Sequence, residues 1–199
     1  MKKFCLCLAL FVQCAFGDLP GATHLNQLLQ SFTSLQASFT QTVQNGRGNG
    51  NISQGSLAIV KPNQFNWHVL SPNEEWYISD GKQVWNVEPD LQQVSITPLS
   101  QNISSTPLLL LSGKVQDVNA LFNVTMLDAN DYVLLPKDSN AMIKKIKISF
   151  SSTGVIQSLE ITNSMNQVST LQFSNVKLNS LIPSSQFHYT IPAGMDVLS

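Results

Sequence analysis

The chain is short of charge. Only 12% of its 199 residues are Asp, Glu, Lys or Arg, where a soluble domain carries about a quarter. The 12 acidic and 11 basic residues nearly cancel, so there is no basic footprint for a nucleic-acid partner. Ser, Asn, Gln and Thr must cover the surface. Cysteine is missing beyond position 14, since the three present are Cys5, Cys7 and Cys14. A disulfide framework or a cysteine metal site is therefore excluded from the rest of the chain. His24, His68 and His188 stand apart with no paired-ligand spacing, and neither a G-x-S-x-G elbow nor a cysteine nucleophile is present. The sequence thus offers no catalytic constellation, no metal site and no cofactor motif. The glycine-rich run from Gly46 to Gly50 lacks the following helix and the Lys-Ser/Thr of a phosphate loop, and reads as a hairpin tip.

What is there begins with a leader. Lys2 and Lys3 precede an apolar run from Phe4 to Phe16, too short to span a bilayer. Ala15 and Gly17 supply small residues before a cut. The expected division is a signal peptide over 1–17 and a single domain over 18–199. Gln13 before Cys14 does not suit lipid attachment at that cysteine, so the mature chain is expected to be soluble.

The domain opens with Leu25, Leu28, Leu29 and Phe32, spaced as one face of a helix, with Thr23 as its N-cap. Short alternating segments bounded by turn residues follow: Leu35 to Gln44, Ser56 to Val60, Gln64 onward, Glu75 to Ser79, Gln83 to Val87 and Leu91 to Thr97. Lys61-Pro62-Asn63 and Asp80-Gly81 provide tight turns. Within the third segment Phe65, Trp67 and Val69 share one face. The pattern breaks at Pro98. Thr106-Pro107 then starts a helix carrying Leu108, Leu109, Leu110 and Leu111, and a second short helix is expected over Val115 to Leu121. Four leucines in succession cannot all face one side, so part of the set is expected to cover a cavity mouth as a lid. Strands resume over Asn123 to Leu127, Asp131 to Pro136, Met142 to Phe150, Val155 to Asn163 and Val168 to Leu178, with Phe187 to Pro192 as a last edge strand. Lys145 and Lys147 alternate with Ile146 and Ile148 and read as an outer, solvated face. This is an antiparallel meander of about eleven strands, long enough to curl. Periodicity alone does not separate a curled sheet from a sandwich.

Four segments in order carry a resemblance. They are Ala37-Ser38-Phe39-Thr40-Gln41, then Lys61-Pro62-Asn63-Gln64-Phe65-Asn66-Trp67, then Ser79-Asp80-Gly81-Lys82-Gln83-Val84-Trp85, then Thr106-Pro107 with its leucines. In order and spacing they resemble the periplasmic outer-membrane lipoprotein carrier family, LolA. The resemblance implies a mainly β fold, an incomplete, unclosed antiparallel barrel with helices capping its concave face. It also implies a non-enzymatic chaperone, acting as a monomer in the periplasm. Such a protein takes lipoproteins from the inner-membrane LolCDE ABC transporter and delivers them to the outer-membrane receptor LolB, where one exists. The expected acyl-chain cavity is lined by Phe39, Leu57, Ile59, Trp67, Val69, Ile78, Trp85, Ile146 and Ile148. Leu108 to Leu111 form its lid. Lys61 stands where the family has an arginine that latches the lid helix, and Lys offers a point charge in place of a planar fork. Phe65 is the expected transporter-docking residue near the mouth. An alternative on the same half-barrel is a regulatory module that senses stray lipoproteins.

Overall fold

The computed structural model describes residues 20–44, 50–102, 108–113 and 118–198. The leader, the hairpin tip at 45–49 and the helix start at Thr106-Pro107 lie outside the described residues. Helix α1, Pro20–Gln30, comes first. Five antiparallel strands follow a leading one: β1 Ser34–Gln44, β2 Asn51–Val60, β3 Gln64–Ser71, β4 Glu75–Asp80, β5 Gln83–Glu88 and β6 Gln93–Pro98. Three short helices come next, α2 Leu99–Asn102, α3 Leu108–Ser112 and α4 Val118–Leu121. Strands β7 Phe122–Met126, β8 Asp131–Pro136, β9 Ile143–Phe150, β10 Ile156–Asn163, β11 Val168–Leu178 and β12 Asp196–Leu198 complete the chain.

All twelve described strands form one sheet, ordered β12-β6-β5-β4-β3-β2-β1-β11-β10-β9-β8-β7. Two local meanders, β2 to β6 and β7 to β11, meet where β1 pairs with β11. The edges β7 and β12 do not pair with each other, so the barrel stays open. The expected half-barrel is therefore the observed one, with one strand more than anticipated.

Cross-strand neighbours share a face of a sheet, and here register separates two apolar surfaces. Leu57, Trp67 and Tyr77 stand in one row on the inner face. Ala58, Asn66, Ile78, Trp85 and Ile96 stand in the next row, on the outer face. The inner row continues across the seam, where Leu171 opposes Gln41 and Leu159, and Ile148 opposes Leu159 and Tyr132. Its side chains join α1 in the main core: Ala22, Leu25 and Leu29 are fully buried against Tyr132, Leu134, Ile146 and Ile148. The Tyr132 hydroxyl lies 2.6 Å from His24 Nδ1, tying α1 to the sheet.

The outer face is covered as well. After β11 the chain turns back through a 3-10 turn, Ser184–Phe187. Ile182 and Phe187 pack on Ala58 and Val60, and Tyr189, Ile191 and Met195 pack on a cluster of Ile78, Trp85, Val87 and Val94. His188 sits edge-on to Trp85, centroids 5.1 Å apart. Lys145 and Lys147 face outward and flank Glu160 at 3.9 and 3.3 Å.

Two local expectations are corrected. The first helix begins at Pro20, a residue favoured at a helix start, so Thr23 lies inside it and is no cap. Phe187 to Pro192 is a strap and not a strand; the last strand is β12, which pairs parallel to β6. The second short helix, expected over Val115 to Leu121, is present over Val118–Leu121, and the rest of that expectation lies outside the described residues.

Candidate functional site

A hollow of about 450 Å³ opens on the inner face. It is lined by Trp67, Val69, Leu159, Leu171 and Phe173 on the sheet, with Leu111 of α3 across from them. Tyr77 and Ile161 complete the apolar wall, and Gln41, Glu75, Asn163, Gln167 and Ser169 bring polar groups to it. Of the residues expected here, Trp67 and Val69 line the hollow. Phe39 backs Trp67, the two rings stacked at 3.8 Å with 22° between their planes. Leu57, Ile59, Ile146 and Ile148 are buried in the same core without lining the opening.

The stack depends on a residue that alternation does not single out. Gly55 lies between Phe39 and Val69 in the cross-strand rows. A Cβ there would come within 2.0 Å of the His68 carbonyl oxygen and 2.6 Å of Phe39 Cζ. Only glycine lets the strands carry Phe39 under Trp67. A lone glycine inside a strand pattern, which marks close backbone approach, was the available signal.

Ile78 and Trp85 are corrections. The row that holds them is the outer one, and the C-terminal strap covers it, so they do not face the hollow. Tyr77, their neighbour in sequence, takes the inward place. Burial, then the neighbouring Glu75 carboxylate, pushes the Tyr77 hydroxyl well above the usual tyrosine range, so it stays a neutral hydrogen-bonding group. Leu171 and Phe173 of β11 were also missed as lining residues. They reach the hollow through a pairing with β1 that no local pattern encodes.

Phe65 is likewise corrected. It is 2% exposed and belongs to the core, so its ring is not available at the surface for docking. In α3, Leu111 is buried and Leu110 partly so, both against the core. The side chains of Leu108 and Leu109 lie outside the described residues.

Lys61 does latch a helix, but a different one. Its ammonium donates to the Leu29 carbonyl at the end of α1 and lies 3.6 Å from the centre of the Phe32 ring. Desolvation lowers its pKa to about 8. The turn beside it holds α3 by backbone instead: the Asn63 N–H donates to the Ser112 carbonyl at 2.7 Å. One turn thus fastens both helices that roof the sheet.

Among the described residues no group of three or more His, Cys, Asp or Glu side chains converges as a metal site. No described helix is long and apolar enough to cross a membrane. What the geometry offers is a half-open apolar cavity roofed by a leucine-bearing helix, of a size typical of ligand pockets.

Comparison with known proteins agrees with that geometry. A family model described as "Outer membrane lipoprotein carrier protein LolA" matches residues 30–190. A protein of Francisella tularensis subsp. novicida called an outer-membrane lipoprotein carrier protein is 34% identical over 200 residues, covering 100% of this chain and 97% of that one. One of the same description from Pseudomonas syringae pv. syringae is 36% identical, covering 92% and 90%. Among solved structures, an uncharacterized conserved protein from Thermus thermophilus superposes with a TM-score of 0.55 at 12% identity, covering 89% of this chain and 98% of that one. MucB superposes at 0.50 with 12% identity, covering 85% and 62%. These last two are likenesses of fold alone.

Proposed function

This chain belongs to the LolA family of outer-membrane lipoprotein carrier proteins, and from that we propose how its hollow serves the task. The protein is a lipoprotein chaperone: it shields the acyl chains of a lipoprotein while they are away from a bilayer. The single observation that carries the mechanism is the apolar hollow facing Leu111, in which Trp67, Val69, Leu159, Leu171 and Phe173 are already assembled around empty volume. Each methylene moved from water into such a lining gains about 0.8 kcal/mol. Chains of the usual acyl length would bind tightly without a polar contact.

A carrier must also let go. The roof provides for this, because Leu111 is buried and Leu110 partly buried against the same core that cargo would contact. Lifting α3 to admit more of an acyl chain exposes those leucines, and that loss subtracts from the gain of loading. The net affinity is moderate, and the closed roof helps expel the cargo. None of these steps makes or breaks a covalent bond.

In this reading residues 1–17 direct the chain to the periplasm and are removed. There the carrier receives cargo from an inner-membrane LolCDE transporter, where ATP is consumed, and passes it to an outer-membrane receptor, LolB, where the organism has one. The experiment is mass spectrometry of the protein purified from its own periplasm without detergent. The expected result is co-purified triacylated lipoprotein, lost when Leu111→Asp and Trp67→Asp are introduced. A preparation that carries no lipidated protein under any expression condition would count against the reading.

A further inference from the structure

The hollow differs from one end to the other, and pairing register orders its lining. Nearest the turn at Lys61-Pro62-Asn63 are Trp67 and Tyr77. Next come Val69 opposite Glu75, and Phe173, whose β1 neighbour Phe39 lies behind Trp67. Gln41 opposite Leu171 follows, then Ser169 opposite Ile161. Last are Asn163 and Gln167, which close the turn between β10 and β11. The polar lining is therefore gathered towards the end of the sheet away from that turn.

These polar groups are fixed in place. Gln41 Nε2 donates to Ser169 Oγ at 2.7 Å, and Asn163 Nδ2 donates to Gln167 Oε1 at 3.1 Å. A side-chain amide carries two N–H donors and a serine one O–H. Gln41, Asn163 and Ser169 therefore keep protons to offer a ligand. Among the described lining residues none is cationic, and the one charge is the Glu75 carboxylate. In the same hollow a phosphate would meet the like charge of Glu75 and no cationic side chain among the described lining residues, which burial makes unfavourable. Neutral ester and amide carbonyls suit the donors without that conflict.

We propose that the arc Gln41, Ser169, Asn163 and Gln167 is a subsite for the uncharged ester and amide linkage of a lipid anchor, which enters tails first, and that Glu75 turns away anionic headgroups. The hollow is then selective as well as greasy: it distinguishes a lipoprotein anchor from a phospholipid with identical tails. The proposal rests on the carrier reading and names how the same cavity orients and chooses its cargo.

The test uses the full-length mature protein and three fluorescent probes: a synthetic S-diacylglyceryl-cysteine peptide, a phosphatidylglycerol of the same acyl length, and a long-chain hydrocarbon dye with no ester. The wild type should prefer the lipopeptide to the phosphatidylglycerol. Gln41→Leu with Ser169→Ala should weaken the lipopeptide about five- to tenfold and leave the dye within about twofold. Glu75→Gln should strengthen phosphatidylglycerol binding about fivefold relative to the lipopeptide. A photoreactive group on the first peptide residue of the lipopeptide should label wild-type residues 163–169, a readout independent of how well any variant folds. Equal loss of lipopeptide and dye, equal wild-type affinity for the two lipids, or labelling beside Lys61 overturns the subsite. A wild type that binds none of the probes overturns the carrier reading and the subsite with it.

Discussion

Lys61 is a cation held where charge is disfavoured. Its pKa falls from 10.5 to about 8 because burial penalises the ammonium. In the unfolded chain the same group keeps its proton to about 10.5. Between those values the unfolded state binds more protons than the folded one, so stability contributed at this site rises with pH across that window and is flat below it. The thermal midpoint of the wild type, measured against Lys61→Arg from pH 7 to pH 10, should climb above about pH 8. The arginine variant stays charged throughout and should show no such climb. A parallel pair of curves would remove Lys61 as the source. Gly55 sets a second residue-scale expectation. Gly55→Ala places a methyl against the His68 carbonyl and the Phe39 ring and should cost about 2–3 kcal/mol by urea denaturation. A smaller loss would mean the strands can spread without harm. At this scale the sequence was readable wherever chemistry is local. Pro62 and Asn63 announced their turn, and Phe65, Trp67 and Val69 announced a shared face. The direction of Lys61 was not readable, because a long side chain on a turn reaches either helix equally well and packing decides between them.

For the elements, the point of interest is that one turn fastens the roof at two places. Asn63 adopts a left-handed backbone, φ 67°, which aims its N–H at the Ser112 carbonyl. A β-branched residue resists that conformation. Asn63→Val should loosen α3 and raise binding of an apolar dye severalfold, while Asn63→Gly should leave both unchanged. Equal dye binding in the two variants would mean that this backbone bond does not govern the roof. The leucine run gave the roof helix away in the sequence, since four in succession need burial on more than one side. Its anchoring partner was hidden, because a bond between two main chains leaves no mark in side-chain pattern. Trp85 illustrates the same gap in the strands. Alternation places Trp67 and Trp85 each on one face of its own strand, but only the register through Tyr77 shows that the two faces are opposite.

Across the whole molecule the sheet is buried on both sides, by α1 and the short helices within and by the C-terminal strap without. A two-sided sheet explains how a chain with few charges keeps so many aromatic residues out of water. Phe187, 1% exposed, pins the strap to Ala58 and Val60. Phe187→Ala should cost about 3 kcal/mol and free the strap enough to increase acrylamide quenching of Trp85 fluorescence. Destabilisation without added quenching would show that the strap stays down by its remaining contacts. The antiparallel meander was legible from strand count and turn spacing, and the half-barrel only from the family resemblance. The strap was not, because Tyr189 and Ile191 alternate as an edge strand would, and only the exposed apolar row on β4 to β6 makes them lie across the sheet.

The seam between β1 and β11 has a bearing on how the chain comes to exist. Leu35 pairs with Leu178, and the Asn179 N–H donates to the Ser34 carbonyl, so β1 waits for a partner far along the chain. Contacts so distant along the chain are entropically late and slow to form. Each meander can zip on its own, but neither can close the hollow until β11 has been translated. In the proposed passage across a membrane to the periplasm, that delay keeps the polypeptide pliable for the journey.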